Sequence, residues 1–200
     1  MLPVQTEPLL VVISGPSGAG KDSLLQRLKA RGLPFHFVVT TTSRPPRPDE
    51  VHGVDYYFVS EEQFQRYIAE GELLEYALVY GQYKGIHKAQ IREALNSGKD
   101  VIMRLDVQGA ATVRRLVPDA VLIFLIAEED ELRRRLEERQ TDTPEQIERR
   151  LARAREELQA ISAFDYVVVN SYHHLERAVD QVLAIITAEH CRTRPRRITL

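Results

Sequence analysis

A single cysteine, Cys191, stands in 200 residues, so no intramolecular disulfide can form. Neither sign of charge is in excess. The 27 lysines and arginines against 29 acidic residues leave a formal net charge of −2, with no global pull toward nucleic acid or an anionic membrane. Long apolar runs are missing too: the longest, residues 120–127, is far short of the ~20 residues that a bilayer-spanning helix needs. Residues 1–7 carry neither a basic n-region nor an apolar h-region, so no signal peptide is expected. Repeats and low-complexity tracts are absent. A soluble, cytoplasmic protein follows from these absences, and 44% hydrophobic content suits one globular domain with a real core.

What is present alternates. "LLVVIS" (9–14), "FHFVVT" (35–40), "DVIMRLD" (100–106), "AVLIFLI" (120–126) and "DYVVVN" (165–170) read as strands. Between them, helices are predicted over 22–31, 144–161 and 175–189. The second has Ile147, Leu151, Ala154, Leu158 and Ile161 at steps of three and four, behind the start signal "TDTPE". Apolar strands alternating with helices predict a parallel sheet covered on both faces. Two stretches break the rhythm. Residues 41–83 are rich in aromatics, turns and charge, with "DYYFVS" expected as an antiparallel strand, and residues 133–150 are dense in both charges. Both read as insertions on one core. The arginine-rich tail 191–200 is expected to be solvated and partly disordered.

The first strand runs into "GPSGAGK", residues 15–21, and then into a helix. This G-x-x-x-x-G-K pattern suits a phosphate: glycines let successive N–H groups point inward, and the helix start adds positive potential. Gly15, Pro16, Ser17, Gly18, Ala19 and Gly20 would form the cradle, and Lys21 would reach the terminal phosphates of a nucleotide. Asp22 stands where a metal-binding hydroxyl is expected, with Ser23 one position late. Its carboxylate suits Mg²⁺ directly, or it favours the helix N-terminus and holds the metal through water. Arg44 and Arg47, separated by two prolines, form a stiff double fork for a dianionic phosphate, with the Tyr56 phenol close by.

Several separate stretches resemble guanylate kinases, in order and spacing, over roughly residues 9–188: "TTTSRPPRPDEVHGVDYYFVS", "GELLEYALVYGQYKG", "DVQGA", "RLEERQTDTPEQIERRLARAREEL" and "VVVN". The resemblance implies a three-layer α/β P-loop kinase: a parallel central sheet, a small mixed α/β GMP-binding insertion and a helical lid. In these terms the core is 8–39, 86–134 and 158–190, the insertion 40–85, the lid 135–157 and the tail 191–200. It implies that Arg44, Arg47 and Tyr56 grip the phosphate of GMP. Glu75 would accept from guanine N1 and N2, Thr40 would face the base, and Asp106 would lie near base and metal. Arg135, Arg139 and Arg150 would close over the transferring phosphoryl group, and Asn170 would lie near the adenine of ATP. Arg133 and Arg134 read instead as a charged helix face.

The implied reaction is transfer of the γ-phosphate of ATP to GMP with Mg²⁺, the metal held at Asp22 and Asp106, by a monomer or homodimer without nucleic-acid or membrane partners. Besides Asp22, four positions depart from the family pattern. Ile86 replaces a hydroxyl that donates to guanine O6, Lys84 replaces a tyrosine at the GMP phosphate, Arg104 replaces an acid, and Gln140 replaces a lid glycine. Charge alone suggests that Arg104 pairs with Asp22 or Asp106. "GKDS" also resembles ribose 1,5-bisphosphate phosphokinases on the same fold, so another phosphorylated acceptor is an alternative. A non-catalytic binding module on the guanylate-kinase-like domain is a further one.

Overall fold

β1 (Leu10–Ser14) is buried at every residue, and its alternation sorts the core. Val11 and Ile13 point into one apolar cluster, Leu10 and Val12 into a second on the opposite face. A strand apolar on both sides belongs in the middle of a covered parallel sheet. The computed structural model, which describes residues 7–79, 81–138, 143–171 and 174–200, has that arrangement. β1 lies between β7 (Val101–Arg104) and β8 (Val121–Ile126), flanked in turn by β2 (His36–Phe37) and β9 (Tyr166–Val169), all parallel. On one face α1 (Lys21–Ala30), α5 (Glu129–Glu138), α6 (Pro144–Leu158) and α7 (Leu175–His190) bury Leu24, Leu132, Leu151 and Val182. On the other, α3 (Lys88–Asn96) and α4 (Val107–Leu116) bury Ile91 and Val113. Each fully buried aliphatic side chain contributes roughly 1.5–3 kcal/mol.

A second, mixed sheet has the order β4-β3-β6-β5, from β3 (Thr40–Thr42), β4 (Tyr56–Phe58), β5 (Leu73–Val79) and β6 (Gln82–His87). Helix α2 (Glu61–Ala69) packs Phe64 on it, stacked on Tyr83 at 5.1 Å between ring centroids. Its start is fixed by the Ser60 hydroxyl, which accepts from the Gln63 N–H.

Four expectations are corrected. The predicted strand 35–40 divides between the two sheets, because Val39 leaves the core ladder and pairs with a side chain. The Gln90 amide donates to the Val39 carbonyl at 2.9 Å and accepts from its N–H at 3.0 Å. The strand in "DYYFVS" runs parallel, not antiparallel, to β3, with Thr40 opposite Tyr56. Helix α6 starts as predicted, with Thr143 and Gln146 forming a capping box, but ends at Leu158. Residues 159–163 tighten into a 3₁₀ turn, leaving Leu158 exposed. The tail is ordered: Ile198 and Leu200 pack on the second core cluster, and Arg196 bonds the buried Glu189.

Candidate active site

The site is built at the C-terminal ends of β1 and β7, where ligands bind in open parallel sheets. The loop after β1 is shaped by glycines. A Cβ on Gly15 would lie 2.0 Å from the Leu125 carbonyl oxygen, and Gly20, at φ +91°, would meet the Asn170 amide at 2.3 Å. Lys21 donates to the Gly15 and Pro16 carbonyls at 2.5 and 2.9 Å, which holds its ammonium over the loop. Asn170, buried after β9, donates to the Ala19 carbonyl at 2.8 Å. Arg135, steadied by Glu131 at 2.6 Å, donates to Ala19 O and Asn170 O at 3.2 and 3.0 Å. Gly18, Gly20, Ser23, Arg135, Asn170 and Leu175 border a single groove.

From helix α6, Arg150 reaches into the loop and donates to the Ser17 hydroxyl at 3.2 Å. Arg133 pairs with Glu148 and Arg134 with Glu131, the charged face expected of them. Arg139 and Gln140 lie outside the described residues.

Across from the loop, a cleft of about 270 Å³ separates the two sheets, and Asp22, Thr40, Tyr56, Ile86 and Arg104 line it. Asp22 and Ser23, adjacent on α1, thus face different cavities, as ~100° per residue requires. Arg44 lies over the Tyr56 ring at 5.2 Å, and the Lys84 ammonium is 5.9 Å from the same ring. Burial, then the neighbouring charges of Arg44 and Arg47, lower the Lys84 pKa. Cations crowded against one another in this way await an anion. Glu50 supplies one: its carboxylate takes the Arg44 guanidinium two-pronged at 2.7 and 2.6 Å and the Arg47 N–H at 2.8 Å. The Arg44 hydrogen bond holds the Glu50 carboxyl down at about 2. Sequence reasoning missed this residue, although an acid three positions after Arg47 was a readable signal.

Beside the cations lies an acid pair. Glu75 on β5 stands opposite Ile86 on β6, so both share a sheet face, and Lys84, two residues before Ile86, shares it too. Asp106 caps α4, accepting from the Gly109 N–H at 2.8 Å. Gly109 lies close against both acids: a Cβ there would be 3.2 Å from the Glu75 Oε1 and 3.3 Å from the Asp106 Oδ1. Burial, helped by the charge of Asp106, pushes the Glu75 carboxyl up to about 7. Ile86 is buried among Leu74 and Ile91, so it closes one wall of the cleft with hydrocarbon. Arg104 pairs with Asp22, one of the two partners that charge suggested.

A parallel α/β sheet, a glycine cradle with its lysine, an arginine from a helical lid and a cluster of cations facing them define a P-loop kinase. The guanylate kinase family model matches residues 7–189. The sequence is 52% identical over 196 residues to guanylate kinase 2, chloroplastic/mitochondrial, of Oryza sativa subsp. japonica, covering 97% of this chain and 69% of the relative. It is 45% identical over 193 residues to the guanylate kinase of Symbiobacterium thermophilum, covering 96% and 90%. The crystal structure of guanylate kinase from Anaplasma phagocytophilum superposes with a TM-score of 0.73 at 29% identity, covering 94% of this chain and 89% of that one. The chain belongs to the guanylate kinase family.

Proposed function

We infer that this protein transfers the γ-phosphoryl group of ATP to GMP, giving ADP and GDP. The observation that carries the reading is the placement of Glu75. A half-buried carboxylate sits beside Asp106, on the same sheet face as the Lys84 cation cluster. A guanine base presents two donors, N1–H and N2–H, on one edge, which suits such an acid, and the dianionic phosphate suits Arg44, Arg47, Tyr56 and Lys84. Adenine offers no such edge, and a sugar bisphosphate has no base edge for Glu75 to read. ATP would lie on the loop, with its base along the Asn170 groove. Lys21, Arg135 and Arg150, with Arg139 by resemblance, would offset charge on the phosphoryl group in flight. No general base is needed, since the acceptor oxygen is already anionic.

Phosphoryl transfer of this kind draws on a divalent metal, which neutralises charge on the β- and γ-oxygens. Asp22 and Asp106 each hold a protein group already, and among the described residues no cluster of three metal-ligating side chains forms. Asp22 and Asp106 would hold a hydrated Mg²⁺ there, and the ion would supply positive charge to the nucleotide phosphates. Among the described residues no helix is long and apolar enough to cross a membrane, and we take the cytoplasm as the place of work. The site as described lies within one chain, which suits a monomer or a homodimer alike.

The test is ADP release from ATP and Mg²⁺ with GMP, dGMP, AMP, UMP and ribose 1,5-bisphosphate as separate acceptors. GMP should be preferred, and Glu75→Gln should remove the preference; equal use of AMP would overturn the reading. The Glu75 carboxyl adds a pH signature. Its ionised form is the one that accepts from guanine, so protons compete with GMP below about pH 7. kcat/KM for GMP should then fall about tenfold per pH unit below 7 and level off above it. Stopped assays across that range check this, and the step should be absent in Glu75→Gln.

A further inference from the structure

Arg104 is a cation that neither the phosphate loop nor the acceptor cluster accounts for. It ends β7 opposite Ile13 of β1, and only Leu105 separates it from the Asp106 cap. From there its guanidinium meets Asp22, the residue directly after Lys21. Both side chains line the same cleft as Thr40, Tyr56 and Ile86. The pair therefore sits where the donor loop and the acceptor cleft adjoin.

Two physical points argue against a merely structural pair. Its side chains remain 34% and 65% exposed, a setting in which an isolated ion pair contributes little to stability. An acid beside an anion-binding loop also opposes nucleotide capture unless a cation offsets it. Pairing does more than offset the charge, because a guanidinium has five N–H donors in a fixed fork and one carboxylate cannot occupy them all. The remaining donors are held in place at the junction that a phosphoryl group must cross.

We propose that Arg104 is a phosphate-contacting cation between the two substrates, and that Asp22 is the positioning residue that aims it. The proposal rests on the reading of the cleft as the GMP site. In its terms the acid in the loop serves the arginine first, and any link to a hydrated metal is secondary. Arg104 would act on charge that develops during transfer, so its removal should be felt in turnover of GMP far more than in capture of ATP.

The experiment is a cycle of wild type, Asp22→Asn, Arg104→Met and the double variant. The readouts are kcat and KM for GMP, affinity for a fluorescent ATP analogue with and without Mg²⁺, the Mg²⁺ half-saturation of turnover, and thermal unfolding. Arg104→Met should lower kcat/KM for GMP by about 10²-fold, with a far smaller loss of analogue affinity from the Asp22 charge left unpaired beside the loop, and an unchanged unfolding temperature. Asp22→Asn should lower it by a smaller factor through the same parameter, without moving the Mg²⁺ half-saturation. The double variant should be no worse than Arg104→Met, since a positioning residue has nothing left to position. Effects that multiply, a Mg²⁺ half-saturation shifted by Asp22→Asn, or full activity in Arg104→Met would each overturn the proposal. Wild type that binds the analogue but does not phosphorylate GMP would instead overturn the acceptor reading, and this proposal with it.

Discussion

Changing Arg150 to alanine is expected to slow phosphoryl transfer about 10³-fold, close to 4 kcal/mol of transition-state stabilisation. The size follows from how the residue is held. Helix α6 is anchored by Ile147, Leu151 and Ala154, all buried in the core, and begins at a capping box. Arg150 lies three residues after Ile147, near the edge of that buried face, which turns it inward. It crosses 133 residues of sequence to reach Ser17 in the loop. A cation placed there needs no reorganisation when charge spreads over the oxygens of the transferring group, and that preorganisation makes such donors effective. Single-turnover rates should carry the loss, while affinity for an ATP analogue changes little. Arg150→Lys should recover only a small part, because an ammonium lacks the planar fork. If turnover were unaffected, or if the deficit lay wholly in ATP affinity, Arg150 would have no part in the chemical step.

The contrast between Arg150 and its neighbours shows what the sequence can carry. Spacing alone put Ile147, Leu151 and Ala154 on one face, and the same spacing places Arg150 beside them. The loop was equally readable, since G-x-x-x-x-G-K between an apolar strand and a helix has few other uses. What could not be read depends on partners far along the chain. The break in the 35–40 strand is made by Gln90, 51 residues from Val39. The direction of β4 is set by the path of the connection before it, not by Tyr56–Phe58 themselves. Asp22 and Asp106 were equally good partners for Arg104 by charge. The choice between them is made by the register of β7 on β1, which carries Arg104 toward the start of α1.

The arginine tail went unread for the same reason, and it carries the second large prediction. Glu189, in the last turn of α7, has no exposed side-chain surface. Its carboxylate accepts from Arg196 twice at 2.8 Å and from the Tyr166 hydroxyl at 2.6 Å. The Arg196 bonds hold the Glu189 carboxyl at about 2, with Tyr166 adding to the effect. Arg196 is itself nearly covered and also faces Asp165 at 3.7 Å, so the tail is clasped at the N-terminal edge of β8 and β9, the end of the sheet opposite the cleft. Arg196→Met leaves the buried carboxylate only the Tyr166 hydroxyl and Arg192, at 3.4 Å, and should cost about 2–3 kcal/mol, or roughly 4–12 °C in unfolding temperature for a chain of this size. Breaking such a pair on one side is costly, whereas replacing both partners with apolar residues is often neutral. Glu189→Met with Arg196→Met should therefore recover most of the loss, and kcat at 25 °C should be unchanged in all of them. The pH dependence has a definite sign. A carboxyl depressed to about 2 contributes stability above its unfolded value near 4.5, and loses it as pH falls from there toward 2. Unfolding midpoints measured down that range should drop more steeply for wild type than for the double variant. An Arg196→Met protein as stable as wild type would mean that water reaches Glu189 once the tail is loosened, and that the clasp adds nothing to the fold.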